Sequence, residues 1–595
     1  MKTSTNGYFE YIPIEQQLIQ TIEKHWTDIL DYRTTIKAKS NVIADIHHGS
    51  QFKSAEARYS NSFILPLVVN TDGARVHNSS HKSMWLIQCY QGFLPPGERY
   101  ISKNIIVVAA YFGPKKPAMD DFFYPLLAEL KFIRNKGGIR IEKDDIVHSF
   151  VPLILNCCCD LPAKAEVQGF TLYSGKFGCG YCLHPGILVK SEVSGRSTLR
   201  YVNGIGNYPI RTHRSVLEVY QRLKSDPISG IKNISCLIAA DSFDMINGFS
   251  IDYMHCIVLG TMKKLLSLWL DSKYHSKPFY IRKNHQKILE SRIMNIRVTT
   301  EIARKPRSIF NRGDFKANEY RALLLYYLPV TLPDVLKTKY LQHFRLLSSS
   351  IYILLKRFIS LSDFELAKSR LIEFVKKFET LYGKENVPMN THMIGHIPAA
   401  VESNGPLWSY SLFAFEAMND VVVKSNTCND KILSQLVWKY CMRRTLEPEP
   451  IQNITEGIKL SGKSKTLLNA QEKAILNDSM IEFAESRMLN TYKSVKLNSE
   501  IFKSLLSKKS TTIDYFIKTK NNNIGAVKFY FVQDFIVYAL IENYRVLNEV
   551  DHFLCVEGVS TQQLIELNDI SEKLMLINVG WKEFVTSIPN KYEKS

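Results

Sequence analysis

Apolar positions recur at helical spacing across residues 14–37 (IEQQLIQTIEKHWTDILDYRTTIK) and predict an amphipathic N-terminal helix. From residue 62 the period shortens to that of strands. SFILPLVVNTDG is an apolar run closed by Asp72-Gly73, and MWLIQCYQGFLP and NIIVVAAYFG follow as two more, so three strands in a row predict a meander. Residues 119–135 (MDDFFYPLLAELKFIRN) return to helical spacing, and Gly137-Gly138 stops the helix. The next apolar run, VPLILNCCCD, predicts a strand ending on Asp160.

Further along, residues 191–248 carry no clear period, whereas residues 255–271, 317–328, 335–361 and 363–382 repeat Leu and Tyr at helical spacing and read as a helical insertion. Residues 412–423 predict one more helix. Residues 447–465 (EPEPIQNITEGIKLSGKSK) have linker composition, and the alternating runs beyond them, AVKFYFVQDFIVYALIENYRVL and EKLMLINVGWKEFVTSIPNKYE, predict a small antiparallel β-module. The expected partition is an N-terminal helical segment (1–51), a first core part (52–190), a mainly helical insertion (191–388), a return segment (389–446), a linker with helix (447–490) and the C-terminal β-rich module (491–595).

The order β-β-β-α-β, with one acid closing the first strand and another closing the fourth, is that of a ribonuclease-H-like fold, so the class expected is mixed α/β. Asp72 by itself reads most simply as a turn residue. Paired with Asp160 on an adjacent central strand, it becomes half of a divalent-metal site for phosphoryl transfer. Glu416, on the helix of residues 412–423, is the candidate third carboxylate, with Glu402 and Asp420 as rivals. A second set of ligands is soft. Cys179 and Cys182 form a Cys-x-x-Cys in a Gly-rich turn, and His392 and His396, four apart, would share a helix face and complete a Cys2His2 zinc tetrahedron. His184 and His255 compete for a histidine position.

Charge narrows the partners. The 595 residues carry 76 Lys and Arg against 57 Asp and Glu, a formal net charge of +19, which favours a polyanion such as nucleic acid. Within the insertion, Arg304, Lys305, Arg307, Arg312, Lys316 and Arg321 are the candidate DNA-backbone contacts. Eleven cysteines, three of them consecutive inside an apolar strand, do not make a disulfide framework and fit a reducing, intracellular setting. No apolar run is long enough for a membrane span, and neither a Walker loop nor a dinucleotide fingerprint is present.

Several ordered motifs, NTDG at Asp72, CDLPAKA at Asp160, GCGYC at Cys179 and Cys182, DYMHCIVLGTMKKLL from Asp252, FKANEYRALLLYYLPV from Phe315 and HIPAAVESNGPLWSYSLFAFEAMN from His396, resemble the DDE transposases of the CACTA (En/Spm-like) group. A more distant likeness is to the Transib transposases and the catalytic subunit of the V(D)J recombinase. The resemblance implies a ribonuclease-H-like catalytic domain interrupted by an all-helical insertion. Asp72, Asp160 and Glu416 would bind two Mg²⁺ (or Mn²⁺) ions for phosphodiester hydrolysis and strand transfer at transposon ends. It further implies a structural Zn²⁺, double-stranded DNA as substrate, a homodimer or larger assembly, and a nuclear location. The alternatives are a domesticated, non-catalytic nuclear DNA-binding protein and a structure-selective nuclease that cuts without joining. The family's usual N-terminal end-binding module is not evident before residue 52.

Overall fold

The computed structural model describes residues 7–593 except 61, 76–81, 193, 205, 225, 426–430, 447–457, 479–487, 498–499 and 508–511. It is a mixed α/β chain with a curled sheet and helical region plus a C-terminal β-rich sheet, and it divides into two compact units. The first comprises Met1–Tyr280 and Gln342–Glu447; the second comprises Ile281–Leu341 and Pro448–Lys594. The stretch expected as one helical insertion, 191–388, is therefore split. Its middle part belongs with the C-terminal strands.

The first unit is built on a six-stranded sheet of β1 (Tyr8–Tyr11), β2 (Phe63–Arg75), β3 (Ser83–Gln91), β4 (Ile106–Gly113), β5 (Ile139–Lys143) and β6 (Ile146–Cys157), in the spatial order β1-β4-β3-β2-β6-β5. β2, β3 and β4 form the expected antiparallel meander, and β6 returns parallel to β2. The N-terminal segment is not a separate helical piece, because β1 pairs antiparallel with β4 at the sheet edge. Its predicted single helix is two, α1 (Ile14–Lys24) and α2 (Trp26–Lys37), broken at His25. β5 was not expected; it is the first arm of a hairpin with β6.

α3 (Met119–Asn135) has the bounds its periodicity predicts and buries Phe122, Phe123, Leu126, Leu130 and Ile133 along one stripe. The chain stops there because Gly137 and Gly138 adopt φ of +88° and +97°. A Cβ on Gly138 would lie 2.7 Å from the Phe150 carbonyl oxygen of β6, so the close return into the hairpin requires glycine. The inner residues Ile64, Val151, Leu153 and Leu155 pack on Phe52 and Ala55 of the helix Ser50–Arg58.

One buried ion pair fixes the ground under this sheet. Arg99 and Asp45 are both fully buried, joined by Nη1–Oδ1 and Nη2–Oδ2 contacts of 2.8 and 2.5 Å. The guanidinium also donates to the carbonyls of Gly92 and Leu94, and Asp45 accepts from Tyr32 and the Ile46 amide. Burial opposes ionisation of Asp45, but Arg99 overrides it and holds the carboxyl well below its usual range.

The second unit is organised by a nine-stranded antiparallel sheet. Six strands, β9 (Phe516–Thr519), β10 (Ile524–Gln533), β11 (Ile536–Val550), β12 (Phe553–Glu566), β13 (Ile570–Val579) and β14 (Lys582–Ser587), close on themselves, since β9 pairs with both β10 and β13 and the path β13-β14-β12-β11 returns to β10. Closure removes the edges that would otherwise stay unpaired. The ladder then extends from β10 to β8 (Met488–Leu497) and β7 (Lys459–Leu467). The residues 459–465, expected as linker, are thus part of a strand; the rest of that linker, 447–457, lies outside the described residues.

Removing one member of the Asp45–Arg99 pair leaves the other charged and buried, a loss of about 3–5 kcal/mol. Arg99→Ala is expected to lower the melting temperature of the first unit sharply in calorimetry, and Arg99→Lys to recover only part of it, since one ammonium cannot replace the forked contact.

Candidate functional site

Two clusters of ligand-type side chains stand out in the first unit. The first starts from Asp72, which lies inside β2 rather than at its end, because Asp72 and Gly73 keep strand register with Leu86 and Trp85 of β3. Asp160 likewise is not on the strand. β6 ends at Cys157, and Asp160 is the N-cap of α4 (Leu161–Gln168), its Oδ1 accepting the Ala163 amide at 2.8 Å. The exits of β2 and β6 are stitched together just before these acids: the Cys158 amide donates to Val69 O at 2.9 Å, and Asn70 Nδ2 donates to Cys158 O at 2.9 Å.

Glu416 arrives on α6 (Phe413–Ser425), counting α5 as Leu361–Tyr382. α6 is held against β3 by Phe415 stacked on Tyr90, with centroids 4.8 Å apart, and by Gln88 Nε2 donating to Asn419 Oδ1 at 2.5 Å. The segment leading into α6 is pinned by Tyr100 and Tyr90, whose hydroxyls donate to the carbonyls of Trp408 and Ser409. The rivals point elsewhere. Glu402 pairs with Lys368 at 3.2 Å, and the exposed Asp420 pairs with Lys424 at 3.0 Å.

Electrostatics ties the three acids together. Burial, followed by the charges of Asp160 and Glu416, pushes the Asp72 carboxyl up to about 7. Burial also raises Glu416, which His255 partly offsets. Their oxygens do not form a group as tight as the sulfur and nitrogen cluster described below, in which all ligand atoms fall within 4.8 Å of one another. Carboxylates that repel one another in partial burial are short of positive charge, which His255 supplies in part.

The sequence did not single out the group that organises this corner. Asp252 is buried; its Oδ1 accepts the Leu412 amide at 3.1 Å at the entrance to α6, and its Oδ2 accepts both the backbone amide and Nδ1 of His255, at 2.8 and 2.9 Å. His255 Nε2 then lies 3.7 Å from Glu416 Oε1. Burial disfavours the imidazolium, but Asp252, then Glu416 and Asp160, outweigh it and raise His255 to about 9. His255 belongs to the carboxylate cluster and is no zinc ligand. It is the second residue of a π-helical segment, Met254–Met262.

The second cluster is Cys179, Cys182, His392 and His396, all buried. Cys182 Sγ lies 3.3 Å from His392 Nε2, Cys179 Sγ lies 3.6 Å from His396 Nε2, and the two Nε2 atoms are 3.3 Å apart. A tetrahedral zinc would set nitrogens about 3.3 Å apart and sulfur and nitrogen about 3.5 Å apart. The set can therefore hold a metal such as zinc. His184 is excluded, because its Nε2 contacts Val202 O at 2.7 Å while Nδ1 accepts the Gly186 amide at 2.9 Å.

Two further cations frame this cluster without being legible in the sequence. Arg211 donates Nε to the carbonyls of Cys179 and Cys182, at 3.0 and 3.2 Å, and Nη2 to Ser229 O at 2.6 Å. Buried Lys164 of α4 donates to Tyr181 Oη at 2.5 Å and to Phe249 O at 3.2 Å, and burial lowers it to about 8. Tyr181 stacks on His396. One helix therefore carries Asp160 at its start and braces the Cys-x-x-Cys turn with its second residue pair.

The expected basic cluster of the second unit is not a continuous positive face. Arg307 is held by the buried carboxylate of Glu319, and Arg321 by Glu593 at 3.1 Å with both side chains largely buried. Arg312 Nη1 is drawn back to Ile309 O, leaving Arg304, Lys305 and Lys316 outward. No helix among the described residues is long and apolar enough to cross a membrane.

Two outcomes are expected. Purified protein should carry one zinc per chain by elemental analysis, lost in Cys182→Ser and kept in His184→Ala. The raised Asp72 means that the folded state binds a proton the unfolded chain releases above its ordinary value of 3.8, so without divalent cations stability falls as pH climbs from about 4 towards 7. Asp72→Asn should flatten that fall in a thermal-melt series run with zinc retained and Mg²⁺ omitted; an unchanged slope would refute the assignment.

The family described as "Protein of unknown function (DUF1258)" matches residues 8–213, a span that holds Asp72, Asp160, both cysteines and Arg211. No curated protein matches the chain.

Proposed function

We propose that this chain is a DDE-type DNA transposase whose first unit is a ribonuclease-H-like catalytic domain. The observation that carries the reading is the mutual electrostatic influence of Asp72 in β2, Asp160 at the N-cap of α4 just past β6, and Glu416 on the returning helix α6. The sheet order supports it: a meander whose first strand is central and parallel to β6, the second strand after the helix α3.

In this reading the three carboxylates hold two Mg²⁺ or Mn²⁺ ions. Bound there, the ions lower the cost of charge on the attacking and leaving oxygens of a phosphodiester. The chain's own groups do the rest. Asp252 accepts the Nδ1–H of His255 and so fixes the orientation of the ring, whose positive charge faces Glu416. Nicking would break one phosphodiester with water to leave a hydroxyl and a phosphate monoester, and joining would exchange one phosphodiester for another, so neither step consumes a nucleotide. The Cys2His2 site stays structural, since four protein ligands leave no open position.

Purified protein with Mg²⁺ or Mn²⁺ should nick and join duplex DNA bearing its own element's terminal repeats, and Asp72→Asn, Asp160→Asn and Glu416→Gln should each bring both steps to background. Cutting without joining would move the reading to a nuclease; full activity in Glu416→Gln would overturn the triad.

A further inference from the structure

In the second unit, β7 and β8 lie beyond the closed strands, with β7 as the outer edge and the short strand Glu500–Lys503 paired to the other side of β8. Residues opposite one another share a face, so Lys459 with Lys496, Ser461 with Ser494, and then Lys463 and Lys465 occupy one side. All four lysines are exposed. None is in an ion pair with a described acid, in contrast to Arg307 and Arg321 in the same unit. The hydroxyls of Ser461 and Ser494 bond each other at 2.7 Å and tie the strands together between the charges. No acid stands on this face of either strand.

The spacing suits a duplex. Lys463 and Lys465 are two residues apart on a strand, about 7 Å, close to two steps of the 3.4 Å phosphate rise along one DNA strand. On the opposite face Leu460 and Val495 pack into the apolar core of the unit; on the lysine side Tyr492, opposite Lys463, also packs against that core, and the four lysines stay exposed.

We infer that the lysine face of the β7–β8 ribbon is a binding surface for the phosphate backbone of double-stranded DNA. The choice of DNA among polyanions rests on the transposase reading; the surface itself does not. This places DNA contact on strands of the unit that also holds the six basic residues between Arg304 and Arg321.

The test uses full-length, zinc-loaded protein without Mg²⁺, binding a labelled 30-mer duplex across a salt series by fluorescence anisotropy. Lys459, Lys463, Lys465 and Lys496 changed together to Gln should weaken binding by about a hundredfold or more near physiological salt and reduce the slope of log K against log salt by about 3 to 4, because each phosphate contact contributes about 0.9. The same four changed to Arg should bind as wild type, and thermal melts verify that both variants fold. A control with exposed lysines of the first unit, Lys131, Lys190, Lys224 and Lys232, changed to Gln loses the same net charge and should keep most of the affinity. Equal loss in ribbon and control variants, or none in the ribbon variant, overturns the inference. So does a ribbon variant that loses binding to single-stranded RNA or phosphatidylserine vesicles while keeping the duplex. Duplex binding by a protein that never cuts DNA would end the transposase reading and leave the ribbon assignment standing.

Discussion

One buried carboxylate sets the geometry on which the acidic site depends. Asp252 has two oxygens and uses both: one receives the amide that begins the approach to α6, the other aligns His255 beside Glu416. The helix that brings the third acid and the imidazole that faces it are therefore registered to a single group. In a protein interior such a group is costly unless every lone pair is engaged, and here backbone and side-chain donors engage both. The pins at Tyr90, Tyr100 and Gln88 then act on a helix whose entry point is already determined.

This arrangement also separates the two ligand clusters mechanically. His392 and His396 precede α6 by a short helix and a loop, and the loop has its own anchors: Asn404 Nδ2 to Asn247 O, Trp408 Nε1 to Lys356 O, and Leu412 N to Asp252. The Cys2His2 set secures the turn that follows α4, and through Lys164 and Tyr181 it bears on the Asp160 side of the site.

Much of the core was legible because its signals are local. The meander and α3 announce themselves by period, and the four soft ligands by spacing. The misreadings share a cause. Asp72-Gly73 looks like a turn until cross-strand register with Leu86 and Trp85 keeps it extended. Lys459–Leu467 alternates lysine, serine and little else, and only its partner β8 makes it a strand. The insertion divides because residues 281–341 find their packing partners beyond residue 448, a choice that helical period cannot express. Asp252, Arg211 and Lys164 do their work on backbone atoms, which no spacing of side chains reveals. The family-level fold and the activity go beyond these signals and rest on the proposal.

The Cys2His2 cluster draws one half from before residue 183 and the other from after residue 391, with Cys182 and His392 210 positions apart, and Asp72 and Asp160 likewise precede Glu416 by more than two hundred positions. At a synthesis rate of roughly 5–20 residues per second, about 10 to 40 seconds separate the emergence of the thiol pair from that of its histidines. During that interval the sheet can form with two thiols and two carboxylates lacking the groups that complete them. The nascent chain is then a two-ligand metal trap attached to a half-built acidic site, and its correct maturation is a matter of timing on the ribosome as well as of the final fold.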